Sequence, residues 1–312
     1  MEKKILDIAS NHYKYLLNLE NVISVGMGYK YINGNKTEEL CIHVGVDRKI
    51  EERFISKNNI IPKTYMGIKT DVVNIGKLNF FNQTTFNDDS NLSSKIRPLK
   101  GGYAIETELS EGTIGCIVSK QMRGKKTFFI LSNNHVLTAR ENLNIGAPIF
   151  QPEEDENNEN FVANLTTYVP FNYDDGSDDP LVNYVDCAIA RINNSQLASN
   201  KIAIIGEIKG VSEPKLGLQI KKVGKSTGYT EGEIITIGQT VSSKIDEEKS
   251  VIFKNLIVAN LKSSFGDSGS VIVNENNEVV GLLIGGDIAE ETSTFSNIQE
   301  VLKRLKVDIY TG

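Results

Sequence analysis

The 312-residue sequence predicts a mainly β protein: two β-barrels or sandwich units closed by one helix, preceded by a small α+β unit. Two observations carry this. Beyond residue 112 the chain is a series of short β-branched runs separated by Gly, Asn and Asp turns, a spacing that suits an all-β pair rather than a βαβ sheet. Residues 1–81 combine one helical period with a strong hairpin signal, and polar sequence follows them.

Over residues 2–19, Ile5, Ile8, Ala9, Leu16 and Leu19 fall near one face at helical spacing, which predicts an amphipathic helix. Runs 22–32 and 40–46 read as strands around Asn33-Gly34-Asn35. A helical stretch over 50–57 and a strand over 68–75 complete the unit. Gly26-Met27-Gly28 lies within a strand and no helix or Gly-Lys-Ser follows, so it does not read as a phosphate loop. His43, between Ile42 and Val44, reads as a hydrogen-bonded sheet residue rather than a ligand.

Residues 82–98 lose apolar periodicity and read as a linker. The main domain is expected over 99–306, its first barrel at about 99–195 and its second at about 216–297. Its strands are expected at 112–118, 127–132, 147–150, 161–169, 186–192, 219–223, 232–237, 250–261, 269–273 and 279–284. Ile298, Val301, Leu302 and Leu305 predict a terminal helix over 297–306, docked on the last barrel.

Composition narrows the function. The chain is 39% hydrophobic and 24% charged, with a formal charge of −6 and no dense Lys/Arg block, which argues against a dedicated nucleic-acid surface. No apolar run is long enough for a membrane span, and the N-terminus does not read as a signal peptide, so a cytoplasmic protein is expected. Cys41, Cys116 and Cys187 sit singly in apolar runs and read as buried free thiols. With three histidines and no Cys-x-x-Cys pair, neither a structural metal site nor a cofactor is expected. The acidic stretches 153–156 and 174–179 read as solvated loops; the second has a calcium-loop composition without the EF-hand order.

The chemistry centres on Ser264-Phe265-Gly266-Asp267-Ser268-Gly269-Ser270, a glycine-rich turn between apolar runs 251–261 and 271–283. A serine hydroxyl needs a base to take its proton and donors to hold the oxyanion. Ser268 is the candidate nucleophile, and the N–H groups of Gly266 and Ser268 are the candidate oxyanion hole. An ordinary hairpin turn favours the same residue types, so partners are needed. His135, in Ser132-Asn133-Asn134-His135-Val136-Leu137, supplies a base. Asp186, at the mouth of the apolar run Val185-Asp186-Cys187-Ala188-Ile189-Ala190, must be paired if buried. Accepting the Nδ1 proton of His135 would do this and leave Nε2 facing Ser268.

In these three motifs and their order, His then Asp then Ser, the sequence resembles the trypsin/chymotrypsin-like serine peptidases over residues 100–306. With Val223-Gly224-Lys225-Ser226-Thr227-Gly228 as an opening strand of the second barrel, it resembles a bacterial trypsin-like group and, more distantly, the plant narrow-leaf type. The resemblance implies a chymotrypsin-like double β-barrel with the site between barrels. It also implies a primary pocket shaped by residues just before the serine, Lys262 and Phe265 among them, and by the strand ending at Ile284-Gly285-Gly286. Lys262 argues against a preference for Arg or Lys: pointing inward it would favour an acidic or polar residue, and otherwise it is a solvated loop lysine. Gly285 and Gly286 leave room for a substrate backbone to add as a strand.

The sequence also departs from the family. Val136 stands where secreted trypsins carry a cysteine, and three scattered cysteines cannot build the family's disulfides. Animal enzymes are activated when a freed N-terminus pairs with the aspartate before the serine, here Asp267, and Lys100-Gly101 is a candidate cut site. The unit 1–81 has no counterpart in simple trypsins and would be a prosegment, recognition module or docking site for a regulatory partner. The expected function is an intracellular serine endopeptidase acting on a dedicated protein target under regulation. The main alternative is a protease-fold binding or regulatory protein; an α/β-hydrolase esterase would want Gly-x-Ser-x-Gly with the histidine last.

Overall fold

Asn33 and Gly34 take positive φ values of 51° and 81°, the pair of left-handed residues that a two-residue hairpin turn requires. They join strands Val22–Ile32 and Asn35–Val46; the second begins earlier than its apolar run because residues 35–40 are held by pairing while largely exposed. The computed structural model describes residues 1–80, 91–177, 179–245 and 249–312. The expected N-terminal helix is split into helices Glu2–Asn11 and Lys14–Leu17. Ile5, Ile8, Ala9 and Leu16 are buried against the hairpin.

The N-terminal hairpin is hydrogen-bonded into the second barrel. Strand Val22–Ile32 runs antiparallel to strand Gly228–Lys244, with Ser24 opposite Val241 and Val25 opposite Thr240. This 17-residue strand serves both units because it bends: its register against Ser250–Asn260 shifts repeatedly between Ile234 and Val241, around Gly238 at φ 63°. Its first part pairs with Gln219–Gly224 in the barrel, and its second part carries the hairpin.

Close approach explains Gly28. A Cβ there would lie 2.0 Å from the His43 ring. Nε2 of His43 donates to the Tyr29 carbonyl at 2.8 Å, so Nδ1 is left to accept the Thr236 hydroxyl at 2.8 Å. The imidazole is therefore fully engaged, and burial pushes its pKa below the ordinary 6.5. Below that value the unfolded chain binds a proton that the folded chain resists. The stability contributed by the neutral ring is thus complete above 6.5 and is lost as pH falls toward the depressed value. His43→Gln is expected to flatten the loss of urea resistance between neutral pH and about pH 5; an unchanged slope would assign the acid sensitivity to other groups.

The first barrel is an eight-stranded sheet in the order Asp308–Ile309, Cys116–Met122, Lys125–Ser132, Ala188–Ile192, Phe161–Tyr168, Pro148–Phe150, Ala104–Glu106 and Glu111–Thr113. The second barrel is built from Gln219–Gly224, Val271–Asn274, Glu278–Asp287, Thr292–Asn297, Ser250–Asn260 and Gly228–Lys244, with additional pairing between its first and last strands. The run expected over 112–118 is two strands, and Asp186 precedes its strand rather than opening it.

Thr292–Asn297 was not legible as a strand because Thr-Ser-Thr-Phe-Ser-Asn has almost no apolar signal. It is buried throughout, with hydroxyls satisfied by carbonyls distant in the chain: Thr292 Oγ1 donates to the Ile75 carbonyl at 2.6 Å, and Ser293 Oγ donates to the Leu261 carbonyl. Helix Ile298–Leu305 buries Ile298, Val301 and Leu305 in a core shared by both barrels, alongside Val118 and Phe129 of the first and Val273 and Leu282 of the second. It thus joins the barrels rather than covering only the last one.

Residues 82–90 of the expected linker lie outside the described residues, as does Asp178 of the second acidic stretch. Residues 91–98 are packed: Leu92 is buried, Ile96 N–H and Arg97 both donate to Gln151 Oε1, and Gln151 Nε2 donates to the Ser94 carbonyl at 2.9 Å. All three cysteines are free and buried, with the thiols of Cys41 and Cys116 pushed up to about 12, chiefly by burial.

Candidate active site

Strand Lys125–Ser132 ends in a one-turn helix, Asn134–Leu137, that carries His135. Its N-terminal N–H groups are satisfied by Asp186: Oδ1 accepts from Asn134 N at 2.7 Å and from His135 N at 3.2 Å. The other carboxylate oxygen, Oδ2, meets His135 Nδ1. Asn133 donates to the Asp186 carbonyl at 2.8 Å and Asn134 to the Val169 carbonyl at 2.8 Å, which explains two asparagines in this turn. Ser296, from the polar strand, accepts from the Asp186 N–H at 3.1 Å.

The Asp186 and His135 side chains are 0% and 2% exposed. Among the described residues, nothing hydrogen-bonds to His135 Nε2, although it is buried. Four other buried side-chain atoms among the described residues also lack a partner, all of them amide oxygens, so Nε2 is the one ring nitrogen among them that calls for an explanation. Ser268 Oγ instead donates to the Ile284 carbonyl at 3.3 Å. The expected His–Asp contact is therefore made, while the expected serine–histidine contact is not.

The nucleophile loop is tied down on two sides. From the first barrel, Thr113 N donates to the Ser268 carbonyl at 2.9 Å, and Thr113 Oγ1 donates to the Gly266 carbonyl at 2.7 Å. From below, Asp267 Oδ1 accepts from Ser226 N at 2.9 Å and Thr227 N at 3.1 Å, and Oδ2 accepts from Thr227 Oγ1 at 2.6 Å and Ser264 N at 3.0 Å. Lys222 Nζ lies 3.2 Å from Oδ2, both side chains being 0% exposed, and it donates to Thr227 Oγ1 at 2.6 Å. Burial pushes the Lys222 pKa down and Asp267 opposes that shift. Gly266 adopts φ 91°, a left-handed conformation suited to glycine. Among the described residues, no carbonyl partners the N–H of Gly266 or Ser268, so both are available to an oxyanion.

Lys222, Thr113 and Thr227 were missed by sequence reasoning. Lys222 follows Lys221 in an ordinary strand, and only its alternation with Ile220 hints that it faces inward. It supplies the counter-charge to Asp267 from within the chain. The candidate cut site Lys100-Gly101 is packed: Gly101 N donates to the Lys201 carbonyl at 3.0 Å, and a Cβ at Gly101 would lie 2.3 Å from the Gly115 carbonyl oxygen.

The remaining expected residues divide. Lys262 is exposed, and its carbonyl accepts from Thr230 Oγ1 at 3.0 Å; its ammonium is not turned inward. Alternation explains this, because Leu261 and Ser263 on either side are buried, with Ser263 Oγ 2.6 Å from Ser293 Oγ. Phe265 is half-buried at the loop tip, and Ile284 is buried behind Ser268. Gly285 and Gly286 carry an added strand, Asn79–Phe80 of the chain itself. A separate cavity of about 680 Å³ opens in the N-terminal unit between Lys30, Arg48, Lys63 and Asp71, and shares no lining residue with this site.

The family model for the trypsin-like peptidase domain matches residues 112–282, more than half of the chain. The chain belongs to that family. Thermobifida fusca Protease A superposes with a TM-score of 0.50 at 18% identity, over 68% of this chain and 98% of its own, which identifies the chymotrypsin-like double barrel. Protein NARROW LEAF 1 of Oryza sativa subsp. japonica is 23% identical over 90% of this chain and 54% of its own length. The chain thus spans about half the length of this curated relative. That match reaches well beyond the matched trypsin-like domain, which by itself omits residues 1–111. Among the described residues, no helix is long and apolar enough to cross a membrane.

Proposed function

We propose that this trypsin-like domain is an active serine endopeptidase in which His135, Asp186 and Ser268 form the triad. The observation that carries the reading is the buried Asp186–His135 pair, with Nε2 left without a partner, beside a serine loop whose aspartate is already neutralised by Lys222. The reading requires the Ser268 hydroxyl to leave the Ile284 carbonyl and donate to Nε2. His135 takes its proton as Oγ attacks the peptide carbonyl, and the Gly266 and Ser268 N–H groups receive the oxyanion. The imidazolium, stabilised by Asp186, then protonates the leaving amine. Water repeats the cycle on the acyl-enzyme.

The substrate is a protein or peptide. Buried, unpaired thiols at three scattered positions support an intracellular setting, where a dedicated target is more plausible than general digestion. The unit 1–81 is proposed as regulatory. A second reading, a protease-fold binding protein, is favoured by one observation: Ser268 Oγ is turned to Ile284 and not to His135.

Covalent labelling separates the two. A small alkyl fluorophosphonate is expected to modify the intact chain at Ser268, located by peptide mapping, and to leave Ser268→Ala unmodified. Absence of an adduct under any condition tried on the folded chain would favour the binding-protein reading.

A further inference from the structure

Strand Asn79–Phe80 lies antiparallel on Glu278–Asp287, with Phe80 opposite Gly285 and Asn79 opposite Gly286. These glycines directly follow Ile284, the residue whose carbonyl holds the Ser268 hydroxyl. A Cβ at Gly285 would lie 2.0 Å from the Asn79 carbonyl oxygen, so the missing side chain is what lets this backbone lie flat. Alternation along the strand turns Leu78 and Phe80 inward and leaves Asn79 exposed. The Phe80 ring stands edge-on to His135, with centroids 5.7 Å apart and planes at 86°. Phe171 and Phe253 flank it at 6.4 and 6.1 Å, and Val241 and Ile284 complete an apolar cluster. Upstream, Lys77 N donates to Asp287 Oδ2 at 3.1 Å, and Ser243 Oγ donates to the Leu78 carbonyl at 2.7 Å.

We infer that Leu78–Phe80 occupies the substrate groove in cis as an internal stand-in for a bound peptide, and that this groove selects an extended peptide with an aromatic side chain against His135. The inference rests on the peptidase reading and adds its regulation and substrate class. Backbone pairing along the glycines is blind to sequence, so selectivity comes from the pocket. Its walls offer rings and aliphatic carbon, and a charged side chain placed there would be desolvated without a partner. A tethered segment competes at an effective concentration on the order of millimolar or more, so a free peptide is excluded until the strand leaves.

The test uses the full chain and two probes, the small fluorophosphonate and the peptidyl diphenyl phosphonate acetyl-Leu-Asn-Phe-Ala, whose peptide needs the groove. Asn79→Pro removes an N–H from the added strand while keeping Leu78 and Phe80. Phe80→Ala empties the pocket and guards against misfolding of the first variant; thermal unfolding reports on both. Each variant is expected to react with the peptidyl probe at Ser268 at least about tenfold faster than wild type, with small-probe labelling retained. A counterpart probe with Asp in place of Phe is expected to stay at least about tenfold slower in Asn79→Pro.

Equal peptidyl-probe rates in wild type and both folded variants, with small-probe labelling intact, would overturn occupancy in cis and leave the peptidase reading standing. Equal rates with the Phe and Asp probes in Asn79→Pro would overturn the aromatic preference. No labelling of any form by either probe would overturn the peptidase reading, and this inference with it.

Discussion

The Asp186→Asn substitution is expected to slow phosphonylation of Ser268 about 10⁴-fold while leaving the fold intact. Oδ1 accepts two backbone N–H groups, from Asn134 and His135, so an amide would keep its oxygen there and turn its NH₂ toward Nδ1. Nδ1 would then have to accept, which moves the ring proton to Nε2. That tautomer cannot take the Ser268 proton. The reverse amide orientation would set NH₂ against two N–H donors, a worse arrangement in a site this buried. The fold is expected to survive because Asn133 and Ser296 hold the Asp186 backbone, not its carboxylate. The measurement is the second-order rate with the small fluorophosphonate. A loss below about tenfold would mean that something other than Asp186 sets the tautomer of His135.

Lys222→Met is expected to cost about 3–5 kcal/mol of stability, the range for a buried pair that loses one partner, and to suppress labelling of Ser268. Asp267 would keep its donors from Ser226, Thr227 and Ser264, but its charge would be buried without a counter-charge. The suppressed labelling is expected because opening of the loop would hydrate the carboxylate and move Gly266 and Ser268 away from where the oxyanion forms. Adding Asp267→Asn to Lys222→Met removes the orphaned charge and is expected to restore much of the stability. Urea midpoints and labelling rates read the two effects separately. An unchanged midpoint in Lys222→Met would show that the neutral donors alone hold Asp267.

Both effects follow from contacts that differ in how far the sequence announces them. Asp186 was legible because a carboxylate among Val185, Cys187 and Ala188 has no apolar reason to be there, and His135 is one of three histidines. Ser268 was legible from its glycine-flanked turn between two apolar runs. Lys222 was not, since a lysine at a strand position normally faces water, and only the partner it meets makes its burial tolerable. Lys262 illustrates the converse: it stands near the serine in sequence, yet the in–out alternation that continues past the end of strand Ser250–Asn260 directs it to solvent.

The sequence by itself determined the mainly β architecture, the hairpin at Asn33-Gly34, the terminal helix and the three residues on which catalysis is proposed. Each of these is written in local periodicity, turn chemistry or an out-of-place polar group, which need no knowledge of distant residues. Only the tertiary structure decided that the N-terminal hairpin joins the second barrel's sheet, that Thr292–Asn297 is a buried strand, that Lys222 neutralises Asp267 and that Asn79–Phe80 lies along Gly285 and Gly286. Strand pairing and buried charge pairing join residues far apart in the chain. Their energy depends on what is opposite, and local pattern does not encode that.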